Sequence, residues 1–124
     1  MLNISLLNSF KYAFMGIYYA FKFNRNVRID FVVAIFVIAA SIFFKVNAFE
    51  MGILGVMILL VICAEMINTA IEEVVNLLTN EHRMEAKIAK DVSAGMVLLT
   101  AIGSLIVGFL VFTPYILKFF KLSI

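Results

Sequence analysis

The sequence predicts an all-α membrane protein: an N-terminal interfacial amphipathic helix followed by three transmembrane helices. Three observations carry that prediction. Hydrophobic residues make up 65% of the 124 residues and charged residues only 15%, too few charges for a soluble domain of this size to cover its apolar surface. Three apolar stretches are each long enough to cross a hydrocarbon core, which takes roughly 20 residues of helix. Basic residues flank those stretches instead of interrupting them, as the positive-inside bias requires of spanning segments.

The elements follow in order along a single domain, residues 1–124. Phe10, Phe14, Ile17 and Phe21 recur at helical spacing with Lys11 and Lys22 off their stripe, which predicts a helix lying on the membrane over 4–28. Lys11, Lys22, Arg25 and Arg28 break up this region, so no cleavable leader is expected. The first span is placed at 30–49, with Lys45 near its end, where it can snorkel to the interface. The second, 51–79, begins uncharged and then carries Glu65, Glu72 and Glu73; its apolar stretch is about 42 Å long as a helix, so its last turns should project beyond the bilayer. The third, 88–117, has no charge from Val92 to Leu117, and Pro114 falls near its end, where a helix breaker does least harm. A tight turn around Asn47 to Glu50 makes the first two spans an antiparallel hairpin. Lys22, Arg25 and Arg28 on one side, with Arg83, Lys87 and Lys90 between the later spans, put the N-terminus and the second loop in the cytoplasm; Lys118 and Lys121 run against that bias.

Charge and cysteine content exclude other classes. A formal net charge of +2, spread along the chain, gives no footprint for nucleic acid. The single cysteine, Cys63, can form no intrachain disulfide and reads as a small hydrophobe in an apolar run.

The chemistry concentrates on the second span. Glu65, Asn68, Thr69, Glu72 and Asn76 sit at i, i+3, i+4, i+7 and i+11, which places them in a helical stripe about 100° wide, with Glu73 at its edge. Carboxylates inside a membrane helix cost a few kcal/mol each on insertion scales. They either pair with basic residues to hold an oligomer together or mark ion, proton or substrate chemistry. Glu65 and Glu72 lie about 10 Å apart along the axis, too far to grip one ion from one helix, so two jobs are implied. The deeper Glu65 suits a general base. Glu72, nearer the cytoplasm, suits a Mg²⁺ ion that carries substrate phosphates. Asn68, between them, can orient either one.

A second cluster, Lys87-Ile88-Ala89-Lys90-Asp91-Val92-Ser93-Ala94-Gly95, opens the third span. Lys90 can meet phosphate oxygens, Asp91 can hold a lysine or a metal-bound water, and the small Ala94 and Gly95 allow close helix approach. Taken alone, the cluster also fits an ordinary charged helix start. His82 has no partner at metal-ligand spacing. The chain has no Walker-type or kinase-type glycine loop, so an ATP site would have to be assembled from helix faces and loops.

The run Ala64-Glu65-Met66-Ile67-Asn68-Thr69-Ala70-Ile71-Glu72, followed by Ala89-Lys90-Asp91, resembles the paired motifs of the prokaryotic diacylglycerol kinase and undecaprenol kinase family. The likeness extends over nearly the whole chain, from Gly16 and Ala20-Phe21-Lys22 to Gly108-Phe109-Leu110-Val111-Phe112 and Pro114. It implies a homotrimeric bundle in a bacterial plasma membrane, with active sites shared between subunits, that transfers the γ-phosphate of MgATP to a lipid alcohol at the cytoplasmic interface. By position, Glu65 matches the catalytic base, which touches the substrate, Asn68 its polar partner and Glu72 a Mg²⁺ ligand. Lys90, Asp91, Tyr12 and Glu81, with Glu72, match ATP-binding residues, and Ala94 falls at a substrate position. Where the family has a second metal-binding Glu ahead of the first span, this chain has Asn24, which would offer Mg²⁺ an amide oxygen without charge; Asp30 is the other candidate nearby. The short ending looks more like undecaprenol kinases than diacylglycerol kinases. Diacylglycerol remains the alternative acceptor, since both lipids present one primary hydroxyl. A proton-coupled transporter using Glu65 would leave Lys90 and Asp91 without a role, and a non-catalytic family member would be a folded trimer without phosphate transfer.

Overall fold

The computed structural model describes residues 2–121, with side chains from Ser5 onward. These residues form four helices: α1 (Leu2–Phe23), α2 (Arg25–Phe43), α3 (Ala48–Leu78) and α4 (Met84–Phe119). The last three are long and apolar enough to cross a membrane. At 1.5 Å per residue, α3 and α4 run about 46 and 54 Å, well beyond a hydrocarbon core of ~30 Å.

Local chemistry sets the helix ends, and several fall away from the limits that the apolar stretches predict. The chain breaks at Asn24, ahead of the expected surface-helix limit at residue 28, because Asn24 is extended (φ −105°, ψ 112°) and its side chain accepts the backbone N–H groups of Asn26 and Val27. Two orphan donors of α2 are thereby satisfied. Helix α2 stops at Phe43, short of 49. Lys45 takes the left-handed conformation (φ 53°), and the N–H groups of Lys45 and Val46 turn back to the carbonyls of Ile42 and Ser41, the pattern of a Schellman stop. Asn47 then caps α3 by accepting the N–H of Glu50 at 2.9 Å. Helix α4 starts at Met84, four residues ahead of 88, and continues past Pro114 to Phe119; the missing proline N–H is tolerated this close to the helix end.

Helices α3 and α4 pack most extensively, α2 lies against α3, and α1 touches α2 with a lighter contact to α3. The apolar core sits at the end holding the α2–α3 turn, where Val46, Leu54 and Val111 are buried against Phe44, Val107 and Phe112. Tyr115 locks this end: its hydroxyl donates to Glu50 Oε2 at 2.6 Å and accepts the N–H of Asn47 at 3.2 Å. The expected close approach at Gly95 is not seen, since an added Cβ there would meet nothing within 4 Å; at Gly103 it would make ordinary contact with Met57 Cε at 3.6 Å. The outward faces carry bare apolar side chains such as Phe36, Leu99 and Phe109, all about 70% exposed, as suits a chain whose solvent is lipid.

Candidate functional site

The polar stripe of α3 lies at the end opposite this core, and its partners come from α1, the α1–α2 break and α4. Glu65 is buried, 4% exposed. Asn24, at the α1–α2 break, reaches it: Asn24 Nδ2 lies 3.4 Å from Glu65 Oε2 and donates at 2.6 Å to Thr69 Oγ1. Thr69 in turn donates to the Glu65 carbonyl at 3.0 Å. The short bond fixes the Asn24 amide, while the long one leaves the Glu65 carboxylate lightly held and able to accept another proton donor. The Asn24 oxygen, meanwhile, is taken by the Asn26 and Val27 N–H groups at 2.8 and 3.4 Å. Its position serves the α2 cap and hands Glu65 a donor, instead of aiming an oxygen toward Glu72.

One turn along, Asn68 Nδ2 donates to Glu72 Oε1 at 3.4 Å, and Asn68 Oδ1 accepts a 2.6 Å bond from Ser93 on α4. Glu72 is exposed. Farther along, Lys90 Nζ donates to Asn76 Oδ1 at 2.8 Å. That partner is neutral, so the ammonium charge is not offset. Among the described residues the one ion pair is Lys87–Asp91, at 2.5 Å on the exposed face of α4, worth a few tenths of a kcal/mol at such a site. Tyr19 from α1 reaches Glu73 Oε1 at 3.5 Å.

A concavity of about 540 Å³ opens at the α3–α4 turn, lined in part by Asn76, Asn80, Glu81, Lys87, Lys90 and Asp91. It brings together Glu81, Lys90 and Asp91, three of the residues expected at a nucleotide. Tyr12, 64% exposed on α1, and Glu72 are not among its lining. Ala94 is exposed, whereas its neighbour Ser93 is buried and faces Asn68.

Among the described residues no three His, Cys, Asp or Glu side chains gather to hold a metal. The donor set nonetheless fits a hard cation that arrives with phosphates, since Mg²⁺ commonly takes one or two carboxylates and completes its shell with substrate and water. Glu72 offers that carboxylate. Asp30 does not join Glu72: one of its oxygens is buried without a hydrogen-bond partner, and it lines an apolar cavity of about 510 Å³ with Ala34, Leu54, Met57 and Val61, which Glu72 does not share.

Spacing along α3 was enough to align Glu65, Asn68 and Glu72. Ser93, and the donors that Asn24 and Tyr19 supply, come from other helices, and no local pattern in the sequence pairs them with their partners.

Residues 11–112 match the family described as prokaryotic diacylglycerol kinase. A diacylglycerol kinase of Synechocystis sp. is 42% identical over 115 residues, 92% of this chain and 66% of that protein. An undecaprenol kinase of Bacillus subtilis is 35% identical over 106 residues, 86% of each. The chain thus spans just under two thirds of the cyanobacterial relative and most of the Bacillus one. It belongs to the prokaryotic diacylglycerol kinase family, and its three apolar helices make it a multi-pass membrane protein.

Proposed function

We propose that this family member is an ATP- and Mg²⁺-dependent lipid kinase that phosphorylates the hydroxyl of undecaprenol at the cytoplasmic face of the membrane. One observation carries the reading: a buried carboxylate, Glu65, and an exposed one, Glu72, share a face of α3, and each receives its own amide donor. Phosphoryl transfer demands mainly positioning and charge neutralisation. Glu65 takes the proton from the lipid hydroxyl. The freed oxygen attacks the γ-phosphorus, the bond to the bridging oxygen breaks, and ADP leaves. Glu72 would hold the cation, whose charge would offset that of the phosphates. Lys90, whose charge is not offset, meets phosphate oxygens. Asp91 and Glu81 line the concavity that would take the nucleotide.

The remaining features of the reading have their own support. Lys22, Arg25 and Arg28 lie at the same end of the bundle as Arg83, Lys87 and Lys90, which favours a cytoplasmic site. The α1 helix, with Phe10, Phe14 and Tyr18 exposed, would lie in the interface and admit the lipid headgroup sideways. A homotrimer with shared sites would let a neighbour's Tyr12 approach the concavity that its own chain leaves to α3 and α4.

The 42% identity to a protein named diacylglycerol kinase favours a second acceptor. The match over 86% of both lengths to one named undecaprenol kinase supports the first. The deciding experiment is transfer of labelled phosphate from MgATP to undecaprenol and to diacylglycerol, side by side in mixed micelles. The expected result is the higher kcat/KM for undecaprenol. A higher value for diacylglycerol would reassign the acceptor, and label in neither lipid would remove the kinase reading.

A further inference from the structure

Helix α4 carries four hydroxyl residues that bond back to the carbonyl one turn earlier: Ser93 to Lys90 at 3.0 Å, Thr100 to Val97 at 2.9 Å, Ser104 to Ala101 at 2.8 Å and Thr113 to Phe109 at 2.5 Å. Such a bond is the ordinary way for a membrane helix to satisfy a hydroxyl, and for Thr100, Ser104 and Thr113 it is the whole of the side-chain bonding described. Ser93 differs in two respects. It is 2% exposed, and it has a shorter bond, 2.6 Å, to Asn68 Oδ1 on another helix. A hydroxyl has one proton, and the shorter contact to an unshared amide oxygen claims it over a carbonyl already bonded within the helix.

This choice has a consequence for Asn68. An amide side chain can present either its oxygen or its NH₂ toward a neighbour. With its oxygen accepting from Ser93, the NH₂ faces Glu72, where it lies 3.4 Å from Oε1. One oxygen of the exposed Glu72 carboxylate thereby accepts a long bond that orients it without fixing it, and the other is left for a cation. In the reverse orientation the Asn68 oxygen would face the carboxylate, a repulsive arrangement.

We infer that Ser93 is a positioning residue: through Asn68 it orients Glu72 for its cation. This rests on the reading of Glu72 as the metal-holding carboxylate. Removing a group that orients a ligand from outside typically lowers metal affinity 10- to 100-fold, and the lower end suits a group one bond farther out.

The test is Mn²⁺ binding to the detergent-solubilised protein with a non-hydrolysable ATP analogue, followed by the EPR signal of free Mn²⁺. Ser93→Ala and Asn68→Ala are each expected to weaken binding about tenfold. The double variant should be no weaker than the weaker single, because both act along one path. Ser93→Thr, which keeps the hydroxyl, should bind as the parent does. If Asn68→Ala weakens binding while Ser93→Ala does not, or if the two losses add, Ser93 does not act through Asn68 and the inference falls while the metal reading stands. If Asn68→Ala and Glu72→Gln both bind Mn²⁺ as the parent does, the metal reading falls and takes the inference with it.

Discussion

The two ends of the helix bundle treat their polar groups in opposite ways. At the α2–α3 turn, Glu50 receives a 2.6 Å bond from Tyr115, which itself accepts from Asn47, and the surroundings are close-packed Val46, Leu54 and Val111. At the other end, apart from the exposed Lys87–Asp91 ion pair, the short bonds go to amides and hydroxyls: Asn24 to Thr69 and Ser93 to Asn68, each 2.6 Å. Glu65 and Glu72 there receive only 3.4 Å contacts. One end spends its polar groups on closure. The other fixes the orienting groups firmly and leaves Glu65 and Glu72 able to accept new partners, which is what a site that must bind and release substrate requires.

Substitutions at each end can break this comparison. The largest effect should come from Glu72→Gln, which removes the charge offered to the cation; transfer at limiting Mg²⁺ should fall roughly a hundredfold, with thermal stability unchanged. A Mg²⁺ titration of initial rates checks it, and an unchanged curve would remove Glu72 from the metal. Leu54→Ala should do the converse. It opens a cavity in the apolar cluster and costs about 2 kcal/mol, at the lower end of the range for such truncations, because lipid instead of water solvates the separated helices. Unfolding in a denaturing detergent would show the loss, while kcat of the folded fraction stays at the parent value.

Tyr115→Phe sharpens the contrast. It deletes one hydroxyl, leaves Glu50 without its donor and should lower stability by less than Leu54→Ala does, again with no change in catalysis. The smallest effect belongs to Asn24→Asp. The carboxylate keeps the cap on α2, since Asp caps as well as Asn, but withdraws the donor from Glu65. A several-fold fall in kcat with stability retained is expected, whereas Asn24→Ala should also lose about 1 kcal/mol of cap stability.

Much of this arrangement is legible in the sequence, for identifiable reasons. The stripe of Glu65, Asn68, Thr69, Glu72 and Asn76 follows from helical periodicity alone, and the three apolar stretches follow from the thickness of a bilayer. The helix ends are less accessible, because they depend on caps and turns. Asn24 illustrates this: by position it matched a metal ligand, yet its oxygen is held by the first backbone N–H groups of α2. Lys45 at a left-handed stop carries no glycine to announce it. Ser93 lies 25 residues from Asn68, and only the packing of α4 on α3 brings them together.

If Glu65 and Glu72 serve phosphoryl transfer as proposed, Glu65→Gln is the decisive substitution. Gln keeps the size of the side chain while removing its capacity to take a proton at this step. Single-turnover transfer from MgATP to the lipid alcohol, at saturating concentrations of both, should fall by about a thousandfold, with ATP binding and thermal stability at parent values. A variant that transfers phosphate at the parent rate would contradict the account, because the proton of the lipid hydroxyl would then be leaving by a route in which Glu65 takes no part.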